Sequence, residues 1–590
     1  MKQFFKFMLA SMLGFLISCI ILFFLFAGML ASVASFSKRE VVQVKPKSVL
    51  HLTLNNQIVD RGGADPFDSF NFMSFEVGSA TGLNDILANL KKAGKDPNIE
   101  GVFLDMSLVL AGWGTIDEIR QALIEFKKTD KFIVAYGENY TQNAYYLATV
   151  ADKVYLNPEG IIDFRGLNSE LTFFRNMLEK LGIEPQVIRH GKYKSAAEPF
   201  FLEKMSAENR EQVLAYVGSI WNSVLQGISD SRGLTIEHLN KVADGFNTRS
   251  ADLALEWQMI DGIMHRDELL EELRARLDVK NTTDIEFVEL GKYHRVPENT
   301  NRKSPRSRDK IAVVYGTGPI ISGQGTETSM GSDRIAAALR EARQDTTVKA
   351  IVFRINSPGG SALASEVILR EVILASQVKP VIASMGDVAA SGGYYVACAA
   401  DMIIASPNTI TGSIGVFGLI PNMQNFFNQK LGITFDNVKT NEYADLMTVS
   451  RPLTNNEKAL IQETVENVYT TFIGHVSKGR NLSPEQVDSI GQGRVWSGAE
   501  ARQIGLVDEF GGISLAIEKA AEKAGLESYR IVEYPKRKDF VARLMENFGS
   551  MQETFVKRKL GEAFRYYEQV NKVNEMTGIL TRLPYDIIIE

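Results

Sequence analysis

The first pattern along the chain is an apolar run without any charge, from Phe7 to Phe36. Thirty residues exceed the roughly 20 that span a bilayer and the roughly 7–15 of a signal-peptide core. The run predicts a retained N-terminal transmembrane anchor within residues 1–40. Ser32-Val33-Ala34 resembles a small-residue cleavage site, so a cleaved signal is the alternative. Lys2 and Lys6 precede the run and Lys38 and Arg39 follow it, which leaves only a weak orientation bias. The favoured reading keeps the short N-terminus inside and exports everything after about residue 40. No second long apolar run follows.

Beyond the anchor the period changes. Short β-branched runs alternate with helical patterns: strand Ala350–Ile355, helix Ala362–Gln377, strand Val381–Ser384, helix Gly392–Ala400, strand Met402–Ala405. Such alternation predicts parallel βα units covered by helices, an α/β fold. Glu208–Ser229 and Lys458–Ser477 read as long amphipathic helices.

The pattern also repeats, with an offset of about 249 residues. LNDILANLKKAGKDPNIEGVFL from Leu83 falls on SDRIAAALREARQDTTVKAIVF from Ser332, and the segment from Phe132 falls on that from Val381. Gly137 meets Gly386, Tyr145 and Tyr146 meet Tyr394 and Tyr395, and Asp152 meets Asp401. KLGIEPQVIRHGKYK from Lys180 meets KLGITFDNVKTNEYA from Lys430. The chain divides into an anchor (1–40), a first repeat (48–297), a polar linker (298–310), a second repeat (311–540) and a tail (541–590) with a helical pattern. The tail carries no chemical signal beyond packing or oligomer contact.

Composition adds mostly exclusions. The chain has 590 residues, 45% of them hydrophobic, and a formal charge of −6, with no basic stripe for nucleic acid. Cys19 and Cys398 both sit in apolar segments, which excludes a disulfide framework and argues against a Cys-ligated zinc site. GTGPIISGQG from Gly316 lacks the spacing of a dinucleotide loop.

The candidate chemistry lies where the copies differ. Ser391 stands ahead of a helix whose first turn would hold Gly392 and Gly393. A serine there is either an N-cap or a nucleophile beside open N–H groups. Its counterpart is Gln142. Asn356-Ser357-Pro358-Gly359-Gly360, a turn able to offer backbone N–H groups to an anion, is replaced in the first copy by Ser107-Leu108-Val109-Leu110-Ala111. Loss of both features from one copy fits a shared oxyanion hole and nucleophile. For a base, the first copy has Lys194 where the second has Ala444. Burial can lower a lysine toward neutrality, and Ala196, Ala197, Pro199 and Phe200 flank it. Lys192 would share its face if the segment were a strand. His190 is a weaker candidate for a Ser–His pair. The reciprocal pattern predicts two half-sites meeting between the copies.

GKYKSAAEPF (Gly191 to Phe200), INSPGG (Ile355 to Gly360), MGDVAASGGYY (Met385 to Tyr395) and TGSIGVFG (Thr411 to Gly418), behind an N-terminal anchor, resemble the signal peptide peptidase A family of membrane-anchored Ser–Lys proteases in its long, two-repeat form. The resemblance implies a Clp/crotonase-like fold in each repeat and a homotetramer shaped as a bowl. It implies Ser391 as nucleophile, Lys194 as general base and Ser413 as the residue orienting the lysine. Gly359, Gly360 and Gly392 would form the oxyanion hole. It further implies residual signal peptides and other hydrophobic peptides as substrates, and a body on the periplasmic side of the bacterial inner membrane. No metal or nucleotide cofactor is needed. Two alternatives stand beside it: an acyl-CoA enzyme on a crotonase-like scaffold, and a non-catalytic membrane scaffold.

Overall fold

The computed structural model describes residues 6–8, 10–21, 23–24, 43–62, 70–71, 76–77, 80–297, 307–536 and 578–583. In the first half, β1 (Ser48–Leu52), β2 (Ile99–Asp105), β3 (Phe132–Gly137) and β4 (Lys153–Leu156) form a parallel sheet, edged by Gly262–Ile263 beyond β4 and Phe287–Glu289 beyond β1. Helices α1 (Leu83–Lys95), α2 (Trp113–Lys127) and α3 (Gln142–Ala148) connect its strands, and α4 (Ala207–Arg232) follows strand β5 (Glu184–His190).

The second half repeats this order. Strands β6 (Lys310–Thr317), β7 (Val348–Ser357), β9 (Val381–Ala390) and β10 (Met402–Ala405) take the places of β1 to β4. They are interleaved with α5 (Ser332–Gln344), the short strand β8 (Gly359–Ser361), α6 (Ala362–Ser376) and α7 (Gly392–Ala397). Next come β11 (Ile410–Gly412), β12 (Val416–Asn422), α8 (Asn455–Arg480), β13 (Val495–Ser497) and β14 (Arg530–Tyr534).

Residues shared by the copies hold equivalent contacts. Asp152 accepts from Ile133 N at 2.8 Å, and Asp401 from Val381 N at 2.7 Å. Tyr145 Oη donates to Met259 O at 2.7 Å, and Tyr394 Oη to Leu506 O at 3.0 Å. These shared positions are structural, and the chemistry is left to the positions that differ.

The halves are not two beads. One hydrophobic cluster runs from Leu50, Val102 and Leu104 of the first half to Val313, Val352 and Ile382 of the second. Neighbouring positions on the same strands, such as Val314, Phe353 and Ala383, face a separate cluster on the far side, as the period of two requires. Across the shared face, the fully buried Arg354 donates through Nε to Asp60 at 2.7 Å and stands 2.7 Å from Glu118. Asp60 also accepts from Asn356 Nδ2 at 3.1 Å, and Asp387 accepts from Thr115 N at 2.7 Å. First-repeat groups thus hold the far ends of β7 and β9, the strands that lead to the glycine turn and to Ser391.

A third, mixed sheet belongs to neither repeat alone. Its order is Met330–Gly331, Ile320–Ile321, β8, β15 (Gly578–Arg582), β12, β5. β5 comes from the first repeat, and β12 pairs with it antiparallel from Val416↔His190 to Asn422↔Glu184.

Several expectations need correction. The strand expected at Val381–Ser384 does not end there, because β9 continues through the small residues from Met385 to Ala390 and acquires a second partner, β11. The helix after Ser391 ends at Ala397. The described part of the tail is strand β15, not helix; residues 541–577 and 584–590 lie outside the described residues, as does most of the linker. The segment around Lys194 is not a strand either, since β5 ends at His190 and a turn with Gly191 at φ +103° follows. Of the anchor, residues 6–8, 10–21 and 23–24 are helical, with Phe7, Phe15 and Phe23 exposed; the rest lies outside the described residues. Among the described residues, no helix is long and apolar enough to cross a membrane.

Arg354→Ala would leave Asp60 and Glu118 buried without their partner, a loss of about 3–5 kcal/mol. We expect a clearly lower thermal unfolding midpoint, read by calorimetry or near-UV circular dichroism; an unchanged midpoint would deny the cluster its role in joining the halves.

Candidate active site

Ser391 sits where β9 gives way to α7. Its φ is +54°, a conformation uncommon outside glycine, and its side chain makes no capping bond. The backbone is held from both sides: Ser391 N donates to Gly412 O at 2.8 Å, and Tyr395 N to Ser391 O at 2.8 Å. The hydroxyl is thereby turned away from the helix end. It meets Lys194 Nζ at 2.9 Å.

Lys194 arrives from the first repeat and is completely buried. Its Nζ also reaches Ser413 Oγ at 3.0 Å and Ser413 O at 3.1 Å. Burial alone holds its pKa well below the ordinary lysine value, with no charged neighbour acting against that. Ser413 has φ +49°, fixed by its N–H to Arg494 O at 2.7 Å, and its hydroxyl donates to Gly493 O at 3.3 Å. Lys192, by contrast, is exposed. His190 is engaged elsewhere, 2.6 Å from Glu466 and stacked on Tyr469.

The loop that carries Lys194 is pinned on both sides. Gln212 of α4 donates to Ser195 Oγ at 2.6 Å, and Asn209 donates to Glu198 at 2.9 Å. On the second-repeat side, Tyr193 N donates to Gln492 O at 2.9 Å, and Val495 N to Gln212 Oε1 at 3.1 Å. Gly493, at φ +79°, passes so close that a β-carbon there would stand 2.6 Å from Lys194 Cα. A β-carbon on Gly415 would lie 3.1 Å from Lys194 Cδ. These two glycines form the slot for the lysine stem. Sequence reasoning missed Gly493, although GQGR, with two glycines ahead of a strand, was the available signal.

The three glycines expected as an oxyanion hole are together but not equivalent. Gly359 N donates to Ser357 Oγ at 3.2 Å, so its amide is already engaged. Its contribution is the missing side chain: a β-carbon there would stand 2.6 Å from Gly392 N. Gly392 opens α7 and carries one of the amides that a helix start leaves without an intrahelical partner, while Gly360 lies in β8 between two paired strands. In the first copy the corresponding place is closed. Gln142 Oε1 accepts from Arg165 N and Gly166 N, both at 3.2 Å. Ala444, the counterpart of Lys194, is exposed.

A buried serine–lysine pair beside two glycine amides is equipped for acyl transfer: an oxygen nucleophile, a neutral amine to take its proton, and donors for a developing oxyanion. The model of peptidase family S49 matches residues 125–280 and 373–527, one stretch in each half. Protease 4 of Haemophilus influenzae is 38% identical over 74% of this chain and 72% of its own. Protease 4 of Salmonella typhi is 35% identical over 80% and 76%. The chloroplastic serine protease SPPA of Arabidopsis thaliana is 34% identical over 86% and 74%.

Burial holds the folded pKa of Lys194 well below its ordinary unfolded value, so this group weighs against folding at neutral pH and does so less as pH rises between the two. Lys194→Met keeps the volume and removes that cost. We expect the variant to unfold at a higher temperature at pH 7, with its advantage shrinking toward pH 10; a lower midpoint at pH 7 would mean that the lysine is buried as a cation.

Proposed function

The chain belongs to peptidase family S49 and is a serine protease; from that premise we propose that it works through a Ser391–Lys194 dyad assembled across its two repeats. The observation that carries this is the 2.9 Å contact between Lys194 Nζ and Ser391 Oγ in a fully buried setting. Neutral Lys194 takes the Ser391 proton as the oxygen attacks a peptide carbonyl. The amides of Gly360 and Gly392 receive the oxyanion, and Ser413 keeps the amine aimed. Lys194 then protonates the leaving nitrogen and activates water for deacylation. An acyl-CoA enzyme would have no use for this lysine, and a mere scaffold would have no reason to keep it buried.

The substrates in this reading are hydrophobic peptides, signal-peptide remnants among them, and each repeat has a Clp/crotonase-like fold. The uncharged run from Phe7 to Phe36 anchors the chain in the bacterial inner membrane, with the body on the periplasmic side. The assembly is a homotetramer. Its support is an unequal use of strand edges. Within the chain, β5 of the first repeat pairs with β12 of the second. The counterpart of β5 in the second repeat, residues 434–440, is exposed and carries no strand pairing. The counterpart of β12 in the first repeat, around residues 166–172, belongs to no strand either. Joining these two edges between subunits would repeat the internal contact head to tail, and such contacts close into rings.

Four measurements test this. A fluorophosphonate should label the full chain, and Ser391→Ala should abolish labelling. Lys194→Ala should lower kcat/KM on a peptide ester by about 10²–10⁴-fold; full hydrolysis by either variant would sink the dyad. For the intact enzyme, kcat/KM should rise with pH as Lys194 loses its proton, with a midpoint below the ordinary lysine range. Val438→Pro, on the exposed 434–440 edge, should shift the particle in light scattering from four chains to fewer while Ser391 still labels.

A further inference from the structure

The residues from Gln492 to Val495 carry no acid, base or nucleophile, yet they bind both loops that meet at Lys194. Toward the first repeat, Gln492 O accepts from Tyr193 N at 2.9 Å, and Val495 N donates to Gln212, which also holds Ser195. Toward the second, Arg494 O accepts from Ser413 N at 2.7 Å, Gly493 N donates to Ile414 O at 2.7 Å, and Gly493 O accepts from Ser413 Oγ at 3.3 Å. The last of these bonds fixes a direction. The Ser413 hydroxyl has one hydrogen, and with that hydrogen on Gly493 O its oxygen can only accept. The Ser413 carbonyl can only accept as well. A neutral amine has two N–H groups and one lone pair. Both N–H groups of Lys194 are then taken up by Ser413, at 3.0 and 3.1 Å, and the lone pair is left for the Ser391 hydroxyl at 2.9 Å.

The turn needs support to do this, because Gln492 and Gly493 are consecutive residues at positive φ, +52° and +79°. The support is Arg494. Its guanidinium lies 4.9 Å from the centre of the Tyr193 ring and 4.5 Å from that of Trp496. Its ion pair at 3.1 Å is with Glu211, a carboxylate more than half exposed, and such pairs contribute little. Among the described residues its buried Nε has no hydrogen-bond partner, so the rings are what hold it. Each ring adjoins one side of the dyad. Tyr193 immediately precedes Lys194. Trp496 is fixed by its indole N–H to Ile490 O at 2.9 Å, and its Cδ1 would stand 2.6 Å from a β-carbon on Gly412. Gly412 O is the group that accepts from Ser391 N. Aligned by the helix caps Ser250 and Ser497, the first copy has Asn247 where the second has Arg494, so the arginine goes with the turn that meets Lys194.

We infer that Arg494 is a positioning residue for the dyad: laid over Tyr193 and Trp496, it keeps the Gly493 carbonyl on the Ser413 hydroxyl and so keeps the Lys194 lone pair aimed at Ser391. The inference rests on the Ser391–Lys194 reading and adds to it a residue that touches neither substrate nor the reacting atoms. Tyr193 and Trp496 work with it as one unit. Once the stack is lost, the turn relaxes and the Ser413 hydroxyl is free to donate to Lys194 instead. The lone pair that should take the serine proton is then occupied. Opening the stack also lets water reach the amine, which removes the burial that keeps it neutral.

The test uses the full chain in detergent with a peptide ester, and the variants Arg494→Ala, Arg494→Lys, Tyr193→Ala and Tyr193→Phe. Arg494→Ala and Tyr193→Ala should each lower kcat by about 10–100-fold, as a displacement near 1 Å does, with KM within about twofold. Both should move the midpoint of kcat/KM against pH upward, toward the ordinary lysine range. Arg494→Lys keeps the charge near Glu211 without the flat face and should stay slow, whereas Tyr193→Phe keeps the ring and should recover most of the rate. Arg494→Ala combined with Tyr193→Ala should be no slower than the slower single variant, because the two residues act as a unit. Calorimetry beside each assay reads the folded fraction, so that misfolding of one variant leaves the others to decide. An unchanged pH midpoint, a loss confined to KM, or full rate in Arg494→Lys overturns the inference while the dyad stands. Absence of hydrolysis by the unaltered chain overturns the dyad and the inference with it.

Discussion

A lysine that serves as a base must be buried without its charge, and much of this architecture answers to that. At pH 7 an unfolded lysine is protonated, and stripping the proton costs about 4–5 kcal/mol from a reference pKa near 10.4 at about 1.36 kcal/mol per unit. That is a large share of the roughly 5–15 kcal/mol by which a domain is stable. The site tolerates it because the loop from Gly191 to Phe200 is fixed at both ends by groups that do not titrate: Gln212 and Asn209 below, the Gln492 carbonyl above. A carboxylate close to Nζ would have lowered the cost and restored the proton. The partners found there are two hydroxyls and a carbonyl.

Duplication supplies the rigidity for a divided site. Lys194 and Ser391 are 197 positions apart in the chain, and a hinge between two independent domains would let them drift. Here the hydrophobic cluster is continuous across the repeats, and Arg354 ties β7 to Asp60 and Glu118 of the other half. A misplacement of about 1 Å can cost about a hundredfold in rate, so the shared core has a chemical consequence. The first copy, which supplies the lysine and carries no serine at the matching place, uses Gln142 to close that place onto Gly166.

How much of this was legible in the sequence follows from the same division. Parallel βα units, the repeat and the meeting of Ser391 with Lys194 could be read because each is a local pattern or a difference between two aligned patterns. The mixed sheet could not. Its strands β5, β8, β12 and β15 come from four distant places, and short runs such as Gly359–Ser361 have no periodicity to betray them. β9 ran past its expected end because Ala389 and Ala390 gain a pairing with Thr411 and Gly412 that no local propensity encodes. Gly493 and Gly415 escaped notice for a related reason: their role is to lack a side chain beside a lysine about 300 and 220 residues away, respectively, in the sequence.

Of the two readings that sequence left at Ser391, cap or nucleophile, backbone geometry removes the cap. An N-cap residue normally takes an extended conformation so that its side chain can fold back on the helix; among the described residues every capping serine or threonine with such a bond does so, Ser206 at φ −62° and Thr454 at φ −70° included. Ser391, at φ +54°, points its hydroxyl the other way. Such a conformation costs on the order of 1–3 kcal/mol and persists only where the surroundings dictate it. The surroundings do: its N–H and C=O are both engaged, and Gly392 and Gly393 allow the Thr581 and Ser357 carbonyls to crowd the turn. Ser413, at φ +49°, is held in the same region. Two serines at positive φ facing one buried lysine are hard to explain as packing, and they direct the oxygens of both side chains to a single nitrogen.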